Sequence, residues 1–301
     1  MQICYNGADI TPSVQVESLL CLDDWGATPD SIDLIAADGG QWSRWKPRKG
    51  DTLEIRDKGW QSGPQAIDAI SQRAGKIRLQ ALSLPKGGRT PHSQAWENLS
   101  LFAVGGELAA RYGLSLEVYG SAPACPRIDQ AGEGDFAFLS RFARREGFAL
   151  KILSGRLVLY DWRQRMQSAP ALALSPGNLL GDPAFDDRSD GLYGGCTLRW
   201  GEISATAQLD AAADQLAVTD VPVSDYAQAL RYAGNLLDYS RRGAYAGRLE
   251  VPLSLGVAAG NMAALSGFGL ADGLWFVDRA VHDFVRQSTM FWIVKAGGAL
   301  G

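Results

Sequence analysis

Residues 50–68 align without gaps with residues 260–278, at a constant offset of 210. Each segment reads as a glycine, a small acid or amide, a strand pattern, a glycine-containing turn and a second strand pattern. The aligned pairs are Gly50 and Asp51 with Gly260 and Asn261, Ile55 with Leu265, Gly63 with Gly273, and Ile67 and Asp68 with Val277 and Asp278. Residues 77–81 have a looser counterpart in residues 291–296. Such patterns also recur by chance in β-rich chains, but the shared register favours duplication of one β unit.

Short alternating strand patterns predict a mainly β chain. Residues 52–56 and 77–82 alternate apolar and polar side chains with a period of two. The chain also contains 35 glycines and 13 prolines, which favour turns, so we expect residues 1–85 to form a small barrel or sandwich. Residues 166–301 return to this pattern. The predicted elements there are a loop-rich stretch at 176–195, a helix beginning at Ser224, and strands at 247–251, 262–266, 274–281 and 289–296.

The middle of the chain has a different pattern, which predicts an α+β insert. A linker-like segment, residues 85–91, precedes a predicted helix over residues 93–112. A second helix is predicted over residues 133–146, because apolar side chains recur there at helical spacing and Gly147 follows as a stop. Predicted strands lie at 114–119, 149–153 and 156–160. The sequence thus predicts two similar tube-like β-barrel domains, residues 1–85 and 166–301, flanking a helix-containing middle domain, residues 86–165.

Charge and hydropathy exclude several classes of protein. The 29 basic and 33 acidic residues give a net charge of −4, which argues against a general nucleic-acid binder, since that needs a basic surface. The charge-free residues 258–271 are too few and too rich in glycine to cross a bilayer, so we expect no membrane insertion. The N-terminal residues lack a leader pattern, so we expect no signal peptide. Buried free thiols are favoured over disulfides for the four scattered cysteines, Cys4, Cys21, Cys125 and Cys196.

Motifs of enzymes, cofactor sites and metal sites are absent from the sequence. The two histidines lack cysteines at zinc-site spacing, so we expect His92 at the linker surface and His282 as a hydrogen-bonded structural residue. Residues 186–191 resemble the start of a calcium loop, but Arg188 occupies its third position and Thr197 its twelfth, where glutamate is required. A solvated loop is therefore expected there.

Glu133 and Asp135 are the pair of carboxylates that could serve catalysis. Their position at the start of a predicted helix favours capping and dipole roles instead. We therefore predict no catalytic, cofactor-binding or metal-binding residues and no cofactor.

Two basic clusters are candidate contact surfaces. Residues 44–49 interleave Trp45 with four cations, and the acidic total favours an exposed loop or a protein contact over a nucleic-acid site. Arg141, Arg144 and Arg145 form the polar face of the second predicted helix. Such a face is usually solvated, and in an oligomer it could meet an acidic neighbour.

These features, in this order, resemble the phage late control D family, which comprises the tail hub proteins of contractile phages and includes the hub region of type VI secretion spike proteins. The most specific stretch is residues 130–147, with the sequence QAGEGDFAFLSRFARREG. It is similar to the family's helix with a glutamine, an acidic pair, a Phe-Leu-x-Arg-x-Ala pattern and a closing glycine. Residues 45–55, 245–249 and 273–282 are similar as well, so the resemblance covers nearly the whole chain.

The resemblance implies a homotrimer in which two tube-like barrels per chain form a pseudo-six-fold ring between a hexameric tail tube and a trimeric central spike. A chain with two similar barrels could satisfy both symmetries in this way. The family implies a structural, non-enzymatic baseplate hub in the virion tail, assembled in the bacterial host cytoplasm.

The resemblance also implies further partners. DNA would meet the ring only in passage, and the modest negative charge would let it slide. Tape-measure and baseplate wedge proteins are expected as additional partners. The sequence ends soon after Lys295, so spike and lysozyme functions are expected in other proteins. Two alternatives stay open: a tail-associated cell-wall hydrolase using Glu133 and Asp135, and a monomeric baseplate adaptor.

Overall fold

The computed structural model describes residues 1–26 and 28–296. Within these residues the helices are α1 (Gln41–Trp45), α2 (Leu101–Arg111), α3 (Asp135–Glu146), α4 (Trp162–Met166) and α5 (Tyr226–Arg241). Among these helices, none is long and apolar enough to span a bilayer.

The strands of the first half are β1 (Gln2–Tyr5), β2 (Ala8–Asp9), β3 (Val16–Asp24), β4 (Ser31–Ala37), β5 (Thr52–Asp57), β6 (Trp60–Gln61), β7 (Gln65–Arg73), β8 (Lys76–Leu82), β9 (Pro91–Ser100), β10 (Ser115–Tyr119) and β11 (Ala124–Gly134). Those of the second half are β12 (Phe148–Leu153), β13 (Arg156–Asp161), β14 (Pro170–Leu174), β15 (Ala184–Asp187), β16 (Gly195–Trp200), β17 (Ile203–Gln208), β18 (Gln215–Val218), β19 (Tyr245–Pro252), β20 (Met262–Leu265), β21 (Gly273–Asp283) and β22 (Ser288–Lys295). Strands hold 47% of the chain and helices 20%, which confirms the predicted mainly β class.

One large sheet joins strands from both ends of the chain. Its order is β15-β19-β22-β21-β3-β4-β8-β7-β5-β1-β2, and β20 pairs with both β21 and β14. We call strands β1 to β8 the first β module, and strands β14, β15 and β19 to β22 the second β module. Each module encloses its own apolar core, with Leu34 and Leu79 fully buried in the first and Leu249 and Phe291 in the second.

The chain between the modules forms an α+β insert. Helices α2 and α3 share a core with the sheet β10-β13-β12, in which Leu108, Phe142 and Leu157 are fully buried. The predicted strands at 114–119, 149–153 and 156–160 are confirmed to within one residue. Ser154 and Gly155 turn the β12–β13 hairpin with φ angles of 48° and 75°, as a type I′ turn requires.

The helix predicted over residues 93–112 is wrong in its first half. Residues up to Ser100 form β9, which pairs antiparallel with β11 in a two-stranded ribbon, and the helix begins only at Leu101. The side chain of Ser100 accepts a hydrogen bond from the Ala103 amide (3.2 Å) and so caps the helix. Residues 92–100 are rich in serine, asparagine and histidine, which are weaker helix formers than the residues of α2. Trp96 therefore stacks on Phe138 (5.8 Å between centroids) from a strand.

Two further boundaries differ from the predictions. Helix α5 begins at Tyr226, and its N-cap is Asp225 rather than Ser224, since the Asp225 carboxylate accepts from the Gln228 amide at 2.7 Å. The stretch predicted as loop-rich contains β15, which pairs with β19. Helix α5 packs on the small sheet β17-β16-β18 and buries Tyr232 and Leu237 between them.

Candidate functional site

The two β modules meet along an antiparallel pair of strands, β3 and β21. The register places Arg279 opposite Asp24, Val281 opposite Leu22 and Asp283 opposite Leu20. The Arg279 guanidinium also pairs with the Asp24 carboxylate at 3.2 Å. We call this contact the joint between the modules.

Apolar side chains reinforce the joint. Phe284, in the turn between β21 and β22, is 4% exposed and lies in the core of the first module. The ring of Trp60 packs on Phe284 and on His282, with 5.7 Å between centroids in each case. The second module therefore completes the core of the first.

The segments related by the offset of 210 make the same backbone hydrogen bonds. The Gly50 amide donates to the Ile67 carbonyl and the Gly260 amide to the Val277 carbonyl, both at 2.8 Å. Both glycines have a φ of 92°, a left-handed conformation that disfavours other residues. The reverse bonds, from Ile67 to Asp51 and from Val277 to Asn261, measure 2.7 and 2.8 Å.

The same correspondence extends across whole strands. A register shift follows Ile67 in the β7–β8 pair and Val277 in the β21–β22 pair. Ile67 lies opposite Ala81 and Val277 opposite Ile293, so β22 matches β8 at an offset of 212, two residues away from the predicted alignment. Strands β3-β4-β8-β7-β5 thus correspond in order and direction to β15-β19-β22-β21-β20.

Two strand edges that correspond to the joint have no partner within residues 1–26 and 28–296. Residues 69–73 of β7 match residues 279–283 of β21, yet only β8 pairs with them. Strand β15 matches β3, yet it pairs only with β19. Unpaired edges of this kind present rows of free backbone donors and acceptors to another strand.

A cluster of buried charges lies where the insert meets the first module. The Lys151 ammonium ion binds Asp23, the Asp24 carbonyl oxygen at 2.9 Å and Asp30 at 3.5 Å. Burial raises the pKa of Asp30 to about 7, against the lowering effect of Lys151, and the nearby Asp23 raises it further. Asp23 also accepts from the Ala259 amide at 3.0 Å, so one carboxylate links three parts of the fold.

Glu133 and Asp135 have structural partners. Asp135 is fully buried and accepts hydrogen bonds from Arg111 (2.7 Å), Tyr112 (2.8 Å) and Gln130 (2.8 Å). Burial opposes its ionisation, but these bonds outweigh it and lower the pKa of the carboxyl. Neither residue caps the helix, because the N-cap of α3 is Gly134, which makes no side-chain bond. The predicted capping role is therefore wrong, whereas Asp135 does lie in the first turn of α3, where a negative charge is favourable to the helix dipole.

The other polar residues predicted from sequence also have structural surroundings. His282 is 1% exposed and its Nδ1 lies 2.9 Å from the Thr289 hydroxyl, which confirms the structural histidine. Burial lowers its pKa to about 4. His92 is exposed, as predicted, but within β9. The Asp187 carboxylate accepts from the Ser189 amide at 2.9 Å, and within the described residues no group of three metal-ligating side chains exists there or elsewhere.

All four cysteines are buried free thiols, as predicted.

The two basic clusters differ in their surroundings. The polar face of α3 is not simply solvated: Arg141 binds Glu133, and the Arg144 guanidinium lies 4.1 Å above the Tyr239 ring of α5. In contrast, Arg44, Lys46, Arg48 and Lys49 are exposed, as expected of a loop or contact surface.

The residues that sequence reasoning missed are the unpaired edges. Strand β15 was not among the predicted strands, and only the start of β7, the second strand pattern of the repeat up to Asp68, was predicted. The repeat itself carried the signal for β7, because the predicted strand at 274–281 maps to residues 64–71 at the offset of 210. No comparable signal marked β15.

Known structures share this fold. The tail protein from Neisseria meningitidis superposes with a TM-score of 0.78 at 15% identity, covering 99% of this chain and 97% of that one. A component of the type VI secretion system of E. coli, itself described as similar to bacteriophage T4 tail proteins, gives a TM-score of 0.58 at 14% identity over 98% of this chain and 76% of that one. The fold is therefore that of phage tail and type VI spike-like proteins.

A sequence relative narrows the resemblance. No protein-family model matches the sequence. The probable baseplate hub protein of Escherichia phage 186 is 27% identical in an alignment of 216 positions that covers 65% of this chain and 54% of the relative. The match thus spans about half the length of that relative. Together with the fold, it confirms the resemblance to baseplate hub proteins that the sequence predicted.

Proposed function

We propose that this chain is a structural baseplate hub protein that works as a homotrimeric symmetry adaptor. In this proposal residues 1–85 and 166–301 supply two tube-like barrels and residues 86–165 a middle domain on the ring. Three chains form a pseudo-six-fold ring between a hexameric tail tube and a trimeric central spike. The ring forms part of the channel through which DNA leaves the virion tail, and the chain carries out no catalysis.

The observation that carries the proposal is the joint together with the two unpaired edges that correspond to it. Within one chain, β21 of the second module pairs with β3 of the first. In a ring, β7 of one chain would pair with β15 of the next in the same way. The contact between chains is heterologous, because it joins two different surfaces. When it alternates with the joint, three chains form a closed ring of six modules.

The correspondence also specifies the register of this contact between chains. Strand β3 maps to β15 at an offset of 164, because Cys21 lies opposite Ile32 while Phe185 lies opposite Gly247. The pair Val281–Leu22 therefore becomes Ser71 opposite Asp186. Hydrogen bonds from Trp25 to Asp278 and from Phe284 to Leu19 show that Val281–Leu22 is a non-hydrogen-bonded pair, whose α-carbons stand about 4.5 Å apart.

A disulfide tests the register directly, since this separation suits a disulfide. We expect the double variant Ser71→Cys, Asp186→Cys to form covalent trimers under mild oxidation, seen on non-reducing gels and by mass. Both positions are exposed in the isolated chain, and all native cysteines are buried.

The matched control is Ser71→Cys with Ala184→Cys, which shifts one thiol by two residues along the same strand face. Cross-linking of this control as efficiently as of the designed pair would contradict the register. Failure of the designed pair to form closed trimers at any concentration would contradict the trimer itself.

A further inference from the structure

Five exposed cations lie together on the first β module. Arg44, Lys46, Arg48 and Lys49 follow or end α1, and Lys86 comes from the segment after β8. The Lys86 side chain lies over Gly50, with its Cδ 3.4 Å from the position a Cβ would take. Lys49 and Lys86 line the same cleft of about 420 Å³. We call these five residues the basic patch.

None of these five cations forms an ion pair within the described part of the chain. By contrast, nearby Arg89 pairs with Asp68. A concentration of cations without ion pairs on a chain with a net charge of −4 creates a local positive potential that attracts anionic surfaces.

The patch belongs to one module only. At the offset of 210, residues 44, 46, 48 and 49 correspond to Ser254, Gly256, Ala258 and Ala259, none of which is charged. The loops themselves correspond, because the Asp51 amide donates to the Arg48 carbonyl and the Asn261 amide to the Ala258 carbonyl, both at 3.1 Å. In the proposed ring, on which this step rests, the patch would therefore recur three times rather than six.

The aromatic side chains of this region are already engaged. Trp45 stacks on Tyr5 with 6.4 Å between centroids and 22° between planes, and Trp42 packs edge-on against Trp45 at 5.0 Å. Sites for single-stranded nucleic acid offer free aromatic faces for base stacking, and the patch offers none among the described residues. A cationic surface without free aromatic faces favours an acidic surface of a folded protein over single-stranded nucleic acid.

We propose that the basic patch is a docking surface for an acidic protein that contacts the hub with three-fold symmetry. Electrostatic complementarity of this kind sets partner choice and orientation. The two modules have similar backbone folds but different charges at these positions. A three-fold partner could therefore select three of the six similar positions in the ring.

Polyglutamate serves as the probe for an acidic protein surface. We expect the variant Lys46→Glu, Lys49→Glu, Lys86→Glu to bind fluorescein-labelled polyglutamate about tenfold or more weakly than the unmodified chain at low salt. The control reverses three exposed cations that also lack ion pairs, Lys58→Glu, Arg165→Glu and Arg199→Glu. It should change the affinity by less than about twofold, which excludes an effect of net charge alone.

Three results would overturn the proposal: unchanged binding in the patch variant, an equal loss in the control, and tighter binding of a single-stranded oligonucleotide of matched charge at the same salt concentration. Sedimentation of the same samples separates this inference from the trimer. A chain that stays monomeric at every concentration, yet whose polyglutamate binding still depends on the patch, would contradict the ring and support the docking surface.

Discussion

Lys151 shows how one buried charge connects the insert to the first β module. Burying a carboxylate and an ammonium ion costs several kcal/mol unless the two ions are paired and hydrogen-bonded. Here Lys151, from β12 of the insert, reaches two aspartates and a carbonyl oxygen of the first module. The contact thus ties the insert to the end of the joint strand β3 and to the segment that follows it.

The raised pKa of Asp30 makes part of this stability depend on pH. Its folded-state pKa is about 7, above the ordinary value of 3.8, so the folded chain holds the proton more tightly than the unfolded chain. The resulting stabilisation is complete below about pH 4 and is lost as the pH rises through about 7. We expect Asp30→Asn, which mimics the protonated group, to gain about 2 kcal/mol relative to the unmodified chain between about pH 5 and about pH 8.

Urea unfolding of both proteins at each pH measures this difference. His282, whose lowered pKa acts in the opposite direction, is present in both chains and cancels from the comparison. A difference that stays constant with pH would show that Asp30 is ionised throughout this range.

Helix α3 is anchored to the ribbon and to α2 through its first residue. The Asp135 carboxylate joins Gln130 of β11, Arg111 of α2 and Tyr112 just beyond α2. We expect Asp135→Asn to lower the free energy of unfolding by about 2 kcal/mol, because one buried donor loses its charged acceptor. The pKa of this carboxyl is lowered in the folded chain, so its stabilising contribution disappears as the carboxyl is protonated in acid. The difference in the free energy of unfolding between the two proteins should therefore shrink as the pH falls below about 4. Chemical denaturation across this pH range measures both effects.

Glu133→Gln is the matched control, because Glu133 is a quarter exposed and pairs with Arg141 at the surface. This substitution should lower the free energy of unfolding by less than about 1 kcal/mol. A peptidoglycan-cleaving activity in zymograms that either substitution abolishes without loss of stability would instead support the hydrolase alternative.

Local patterns predicted those elements whose signals lie within the element. Helix α3 was predictable because Phe136, Leu139 and Phe142 share one face and Gly147 ends it. The ribbon of β9 and β11 was not, because Trp96 finds its burial against Phe138, far along the chain. Strand β9 is mostly exposed on both faces, so it lacks the alternation that marks a half-buried strand.

The sequence predicted that the chain contains a repeated β unit, but it did not predict which strand edges of that unit stay unpaired. The glycines at 50 and 260 indicate a repeat from the sequence alone. The edges at residues 69–73 and β15 depend on which strands lie side by side, which no local pattern encodes. The basic residues 44–49 were visible in the sequence, whereas Lys86 joins them only through the fold.

For the assembled molecule, the proposed contact between chains should be weaker than the joint within a chain. At corresponding positions, the joint has the ion pair Arg279–Asp24, while the contact between chains would place Ala69 opposite Arg188. The joint buries Phe284, and the corresponding residue at the offset of 210 is Ala74. Fewer buried groups imply that trimer formation depends on protein concentration.

Leu270 provides a test of this assembly. It corresponds to Trp60, which packs on His282 and Phe284 within the chain, yet Leu270 is 75% exposed. In the ring it would pack on the β7–β8 turn of the next chain, and burial of a leucine is worth about 1.5–3 kcal/mol. We expect Leu270→Asp to weaken trimer formation by about tenfold or more in sedimentation equilibrium, with the melting temperature of the dilute monomer unchanged.

Leu209→Asp is the matched control, since Leu209 is 63% exposed and lies after β17, outside both β modules. It should leave the trimer intact. Trp60→Ala, in contrast, should lower the melting temperature of the monomer itself, because its contacts are made within one chain. A Leu270→Asp chain that trimerises as tightly as the unmodified protein would show that the chains do not meet as the joint predicts, and the correspondence between the modules would then stop at the single chain.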